Sequence, residues 1–325
     1  MLDGDAKSLA EVAGLPKESL VMESGPMSSA RHLRYSPAGG RRPHHGGPGG
    51  KRHRSRAHQP ESPFAIAYGG FLELPVPLVL AGGLRYSAAE ARDALRFYHE
   101  FARSCPDELT TSASLGRDPD GSLVAGVSVC YCGELEEGER VLRPLRAFGS
   151  PLEDGIRPMP YTTLQSASDE GFPSGQQHYW KASFLKDLTE EAIEVLAHSV
   201  SEMPSPVSGV GLQQMHGVAS RVDPAATAFP YRDVHYDLLI LSQWADPSES
   251  EVNIRWTRQL FEAMRPYFGE GVYVNNLGEE EQDRVEEAYG DHYERLVSLK
   301  DTYDPTNLFS LNQNVKPSTH SGATS

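Results

Sequence analysis

The chain has 325 residues, 38% of them hydrophobic, and carries 30 Lys/Arg against 45 Asp/Glu, enough for one large domain or two ordinary ones. Ten of the basic and five of the acidic residues fall within residues 1–60, which leaves 20 and 40 for the rest. A body that acidic repels phosphate backbones and argues against nucleic acid as the main partner.

No apolar run approaches the ~20 residues that span a bilayer, and the N-terminus lacks a signal-peptide pattern. Three cysteines, Cys105, Cys130 and Cys132, cannot build a disulfide framework and suit a reducing compartment. A cytoplasmic protein with no nucleic-acid and no membrane partner is expected.

Residues 1–62 are expected to be a disordered basic, low-complexity tail. From Ser28 to Pro60 the chain holds eight Arg/Lys, no acid and almost nothing apolar, so it cannot offset its ordering entropy. Three readings fit: a plain tail, a basic arm on an anionic partner, or an out-of-frame segment joined to a genuine body. The abrupt change of composition near residue 62 favours the third.

From about residue 70 the pattern is regular. Leu78–Leu84 reads as a buried strand. Ser87 with Glu90 forms a capping box ahead of a helix whose stripe is Ala91, Ala94, Leu95, Tyr98, Phe101, Ala102 and Cys105. Cys105 is therefore a core residue. Leu109–Leu115 and Ser122–Cys132 are predicted strands around the turn RDPDG (117–121). Cys130 and Cys132 face one side of the second strand; no further Cys or His pair completes a metal site, so packing is their expected role.

Glu134–Phe148 reads as a helix interrupted by Pro144, His178–Lys186 as a strand, and Asp187–Val200 as a helix capped by Asp187 and Glu190. Val207–Gln214 and Tyr236–Trp244 are predicted paired strands. Asp246 and Pro247 open a helix with a face of Val252, Trp256, Leu260 and Met264. Val272–Asn275 is predicted as a short strand, followed by helices over about Glu279–Tyr289 and Asp291–Lys300 that place Tyr289, Tyr293, Leu296 and Lys300 on one face; Pro305 forbids continuation. Strand pairs punctuated by helices define an α+β class: an antiparallel sheet with helices on one face and a helical C-terminal module.

Several chemistries lack their motifs. GVGLQQMHG (209–217) has the wrong spacing for a nicotinamide site. GGPGGKRH has Arg52 where a phosphate loop needs Ser/Thr, and no H-E-x-x-H or G-x-S-x-G occurs.

The last fifty residues are the most informative. Tyr273-Val274-Asn275, Tyr289-Gly290, Tyr293 to Lys300, Tyr303 to Phe309 and Asn312 to Asn314 follow the order and spacing of the berberine-like module of FAD-linked oxidases. Collinear similarity extends upstream through YCGELEEGERVLRPLRAFG (131–149), RPMPYTTLQ (157–165), HYWKASFL (178–185) and TAFPYRDVHYDLLILSQW (227–244). The chain thus resembles berberine-bridge-type FAD-linked oxidases over roughly residues 76–317. The resemblance implies a substrate domain over 63–270, a berberine-like module over 271–317 and a short tail over 318–325.

It further implies FAD as cofactor, a small-molecule substrate, and molecular oxygen as electron acceptor, the flavin supplying the redox chemistry. Tyr273 is the implied base or substrate-hydroxyl partner, with strand packing as its structural alternative. Asn275, Asn312 and Asn314 are the implied cofactor-side residues. Two departures stand out. Relatives carry Gln or Glu on the strand after the Phe-Pro-x-Arg turn, where this chain has Leu239. The chain also has no Gly-Gly-His attachment loop and no recognisable FAD-binding sequence, so it reads as a truncated oxidase. The alternative is a non-catalytic remnant or interaction module whose flavin-domain-facing surface binds another chain.

Overall fold

A computed structural model describes residues 64–67, 70–72, 78–118, 120–278 and 280–318. The expected tail over 1–62 lies outside the described residues, as does the C-terminal tail beyond Ser318. Strands β1 (Phe64–Ala67) and β2 (Gly70–Leu72) pair with each other.

The main sheet is built from β3 (Leu78–Ser87), β4 (Leu109–Arg117), β5 (Leu123–Tyr131), β6 (Glu153–Asp154), β7 (Arg157–Pro160), β8 (Gln177–Leu185), β9 (Gly209–Gln214) and β10 (Tyr236–Trp244). Their order is β6-β3-β5-β4-β9-β10-β8, with β7 also pairing β3. All these pairings are antiparallel. The β4–β5 hairpin keeps register from Leu109↔Tyr131 to Arg117↔Leu123, closing through Gly121 at φ 84, a conformation glycine adopts without a Cβ penalty.

Alternation divides the sheet into two faces. One carries Leu80, Leu84, Tyr86, Leu109, Ala113, Leu115, Val127, Val210, Leu212, Leu238 and Ile240 into the main core. Helices α1 (Ala91–Ala102), α2 (Leu135–Arg146), α4 (Glu190–Ser201) and α6 (Ser250–Met264) cover it. Each fully buried Leu or Ile there contributes ~1.5–3 kcal/mol of transfer free energy. The expected α+β class, with helices on one face of an antiparallel sheet, is the architecture found.

Helix entry follows the sequence signals with small shifts. Ser87 Oγ donates to Glu90 Oε2 at 3.2 Å, but no capping box forms: Glu90 is the N-cap residue of α1 and its end has no side-chain cap bond. Asp246 Oδ1 accepts from the Ser248 amide at 2.9 Å. Thr189, not Asp187, caps α4, accepting from Ala192 N–H at 3.3 Å. Pro144 does not interrupt α2, which runs two residues past it; buried Leu142 and Leu145 pin that last turn to the core. In α6 the inward face includes Asn253 and Thr257 beside Trp256, Leu260 and Met264, while Val252 is exposed.

The C-terminal module departs most. No strand forms over Val272–Asn275; Val274–Asn276 is a 3-10 turn, closed by Asn276 N–H to Tyr273 C=O at 2.9 Å. Tertiary packing overrides the β-propensity here, because Gly271 takes φ 79 and any Cβ there would overlap the Tyr231 ring. The two last helices are α7 (Val285–Tyr289) and α8 (Tyr293–Tyr303). Gly290 at φ 48 separates them, so Tyr289 and Tyr293 belong to different helices, although both pack on the same small core. Among the described residues no helix is long and apolar enough to cross a membrane.

Candidate functional site on the open sheet face

Among the described residues, the second face of the sheet is covered at its two ends. At the β3 end, Val79, Ala81, Cys130 and Met159 pack with Tyr161 and Leu164 of α3 (Tyr161–Gln165). At the β8 end, Ala182 and Leu239 pack under Val272, Val274, Leu277, Val285 and Ala288 of the C-terminal module. Between them lie Ser112, Ser114, Gly126, Ser128, Gly211 and Gln213, none of them buried. A Cβ added to Gly211 would meet no atom within 4 Å, whereas one on Gly126 would press on Ser114 Oγ at 2.6 Å. The result is a level floor of small polar residues between two apolar walls.

The wall at the β8 end is held by shape and by charge. Tyr231 is a wedge between Gly271 and Gly290, and its hydroxyl donates to the Glu287 carbonyl. Arg232 donates to Ala219 C=O at 2.9 Å and lies 4.9 Å over the Phe229 ring; burial lowers its pKa. The Phe-Pro-Tyr-Arg segment thus clamps the module onto the sheet. Lys181 on β8 bridges Glu280 at 3.0 Å and Glu281 at 3.1 Å, and Arg284 pairs with Glu281 at 2.8 Å. Burial would raise the Glu280 carboxyl, but hydrogen bonds from Tyr179, Lys181 and Arg258 outweigh it and hold the group down to about 2.

The four expected site residues fall into two groups. Tyr273 and Asn275 are joined, Asn275 Nδ2 donating to the Tyr273 hydroxyl at 2.7 Å. The Tyr273 ring stands edge-on to Phe229 at 6.3 Å, beside the floor's β8 wall. Asn312 and Asn314 lie in the last loop. Asn312 adopts φ 60, and its carbonyl accepts from Gln282 Nε2 at 2.7 Å and from Asn314 N–H at 2.9 Å. Gln313 Nε2 donates to the Leu277 carbonyl at 2.9 Å. The backbone of this loop is a docking turn against residues 277–282.

One residue escaped the sequence reading. Asp237 shares the floor side of β10 with Leu239, is 7% exposed, and accepts from Asn276 Nδ2 at 2.7 Å. It pairs in register with Gln213 and Phe184. Its signal was present, as the one acid within the apolar run YDLLILSQW. A buried carboxylate thus stands on the floor side of the strand whose Gln/Glu position holds Leu239. Among the described residues no group of three or more His, Cys, Asp or Glu could hold a metal ion.

Known proteins share this fold. Residues 272–316 match the family model described as "Berberine and berberine like". An FAD-linked oxidoreductase of Dictyostelium discoideum is 29% identical over 75% of this chain and 53% of its own length. The uncharacterized FAD-linked oxidoreductase YgaK of Bacillus subtilis is 32% identical over 76% of this chain and 54% of its own length. The crystal structure of 6-hydroxy-D-nicotine oxidase from Arthrobacter nicotinovorans superposes with a TM-score of 0.64 at 24% identity, covering 76% of this chain and 56% of that one.

Sheet and module together have their counterparts in FAD-linked oxidoreductases. Residues 272–316 carry the berberine-like module, and over about three quarters of its length the chain is similar to berberine-bridge-like FAD-linked oxidoreductases. It spans about half the length of the relatives it matches.

Proposed function

We propose that this chain supplies the substrate side of an FAD-linked oxidase acting on a small molecule, with residues 63–270 as substrate domain and 271–317 as the berberine-like module. The observation that carries this reading is the open Gly/Ser floor, walled on one side by the segment holding Tyr273 and Asn275. A Cβ on Gly211 would meet no atom within 4 Å, so the backbone there lies open to the face of a flat ring such as the flavin's. The 325-residue sequence contains no Gly-Gly-His, so the reading includes no attachment residue.

When bound, the flavin supplies hydride acceptance and electron transfer to oxygen. The chain's own residues would handle position and protons. Tyr273 would hold or accept the proton of a substrate hydroxyl or amine, its phenol oriented by the Asn275 amide. Asp237, fixed by Asn276, would place negative charge on the floor side of β10. The apolar walls would exclude water around the reacting carbon. A cytoplasmic setting accords with three unpaired cysteines.

The test is spectroscopic. Purified protein supplied with FAD should show a yellow flavin band, and anaerobic addition of a substrate should bleach it. Tyr273→Phe should keep the band and slow the bleaching by ~10²–10⁴-fold. A chain that never retains a flavin band would sink this reading.

A second reading rests on a different observation. Tyr303, Leu308, Phe309 and Leu311 are 77–86% exposed, a run of apolar side chains at the module's end. On that reading the surface binds another protein chain and does no chemistry itself. Size-exclusion chromatography separates the two: Phe309→Ser would abolish self- or hetero-association while leaving flavin binding unchanged.

A further inference from the structure

The three cysteines are free, and two of them form a pair whose position the oxidase reading does not use. Cys130, the next-to-last residue of β5, lies on the floor side of the sheet, buried at 3% exposure beside Val79, Ala81 and Met159. Cys132 lies one residue beyond the strand and is exposed. Their Sγ atoms are 3.7 Å apart. Two residues of extended chain rise ~6.6–6.8 Å, close to the upper limit of Cα separation that a disulfide accepts. The chain can relax there, because Gly133 follows and α2 does not begin until Leu135. The Cys132 amide donates to Glu108 C=O at 2.9 Å.

From this geometry we propose that Cys130 and Cys132 are a peroxide-reactive dithiol that closes to an intrachain disulfide. The Cys132 sulfur attacks the O–O bond of a hydroperoxide, giving the sulfenic acid and releasing the alcohol, or water if the oxidant is hydrogen peroxide. The Cys130 sulfur then attacks the sulfenic sulfur, and hydroxide leaves with the thiol proton as water. Two thiols lose two electrons and two protons, and one peroxide becomes one alcohol and one water. The roles follow from exposure, since Cys132 is exposed and Cys130 is buried. They also agree with the electrostatics: the hydrogen bond from Cys130 lowers the Cys132 pKa and, with burial, raises that of Cys130. Closure requires the sulfurs to approach from 3.7 Å to about 2.05 Å, a local movement at a strand end. Cys105 is an internal control, because burial pushes its thiol up to about 12.

The experiment uses the full chain, without added flavin, exposed to stoichiometric hydrogen peroxide. Free thiols are then counted after denaturation, and tryptic peptides are weighed. The expected result is loss of two of the three thiols and a Cys130–Cys132 peptide lighter by two hydrogens, reversed by dithiothreitol. Cys105→Ser should leave this intact. Cys132→Ser, a change at an exposed site, should leave Cys130 reduced. Cys130→Ser should strand a dimedone-reactive sulfenic acid on Cys132, provided near-UV circular dichroism stays native; if it does not, the Cys132→Ser result decides. Retention of all three thiols, over-oxidation of Cys132 in the wild type, or a disulfide only between chains would overturn the proposal.

Discussion

Replacing Asn276 by alanine probes the joint between the module and the sheet. Asn276 Nδ2 donates to the Asp237 carboxylate at 2.7 Å, and Asp237 is 7% exposed, so water cannot freely take the lost donor's place. A hydrogen bond to a charged group contributes ~1.5–3 kcal/mol. For a domain of this size each kcal/mol moves the melting temperature by ~2–4 °C. The expected loss is therefore ~3–12 °C by calorimetry, with the Trp180 Nε1–H to Asn276 C=O bond of 2.9 Å unaffected because it uses the backbone. Asn276→Asp sharpens the test. It sets two carboxylates together, and like charges disfavour joint ionisation, so this variant should lose stability as pH rises from about 4 to 7. Melting of Asn276→Ala within about 1 °C of wild type would refute the claim that this bond holds the module down.

Other expectations follow from the same structure. Burial lowers the pKa of His99, His178 and His216. The folded state thus binds protons less readily than the unfolded chain, and stability should be full above about pH 6.5 and fall as pH drops through the folded values; urea midpoints at pH 7.5 and 5.5 would show it. Leu238→Ala, at 0% exposure in the main core, should cost ~2–5 kcal/mol in urea unfolding. Gly271→Ala combines positive φ with overlap on Tyr231. It should cost ~1–3 kcal/mol from backbone strain alone and expose tyrosine to quenchers before global unfolding. Glu280 is depressed to about 2, so its contribution should be present above its ordinary value and fade as pH falls toward 2. Glu280→Gln should flatten that acid limb in a melting-temperature profile.

What the sequence made legible was local. Apolar spacing of three and four located α1, and Asp246-Pro247 marked the entry to α6, since caps and stripes depend on neighbours along the chain. The pairing of Val207–Gln214 with Tyr236–Trp244 was legible because both segments carry strand patterning. The sheet order was not, as β4 meeting β9 depends on contacts across a hundred residues. The Tyr273 segment was misread as a strand because Tyr231, forty residues upstream, dictates its turn. Asp237 stayed hidden for the opposite reason: alternation assigned it a face, but only the fold revealed that the face is a floor. Beyond Pro305 the pattern gave no turns; the left-handed Asn307 and Asn312, at φ 55 and 60, supply them, a conformation short polar amides tolerate.

The central claim is that the open face between the two walls takes the flavin ring. Gly211 is the position to test, since a Cβ there meets nothing within 4 Å and projects onto the floor between Leu239 and Ser114. Flavin fluorescence should be quenched saturably when FAD is titrated with wild-type protein. Gly211→Trp, checked for native circular dichroism, should abolish that quenching by filling the floor. Equal quenching by both proteins, or none by the wild type, would contradict the account.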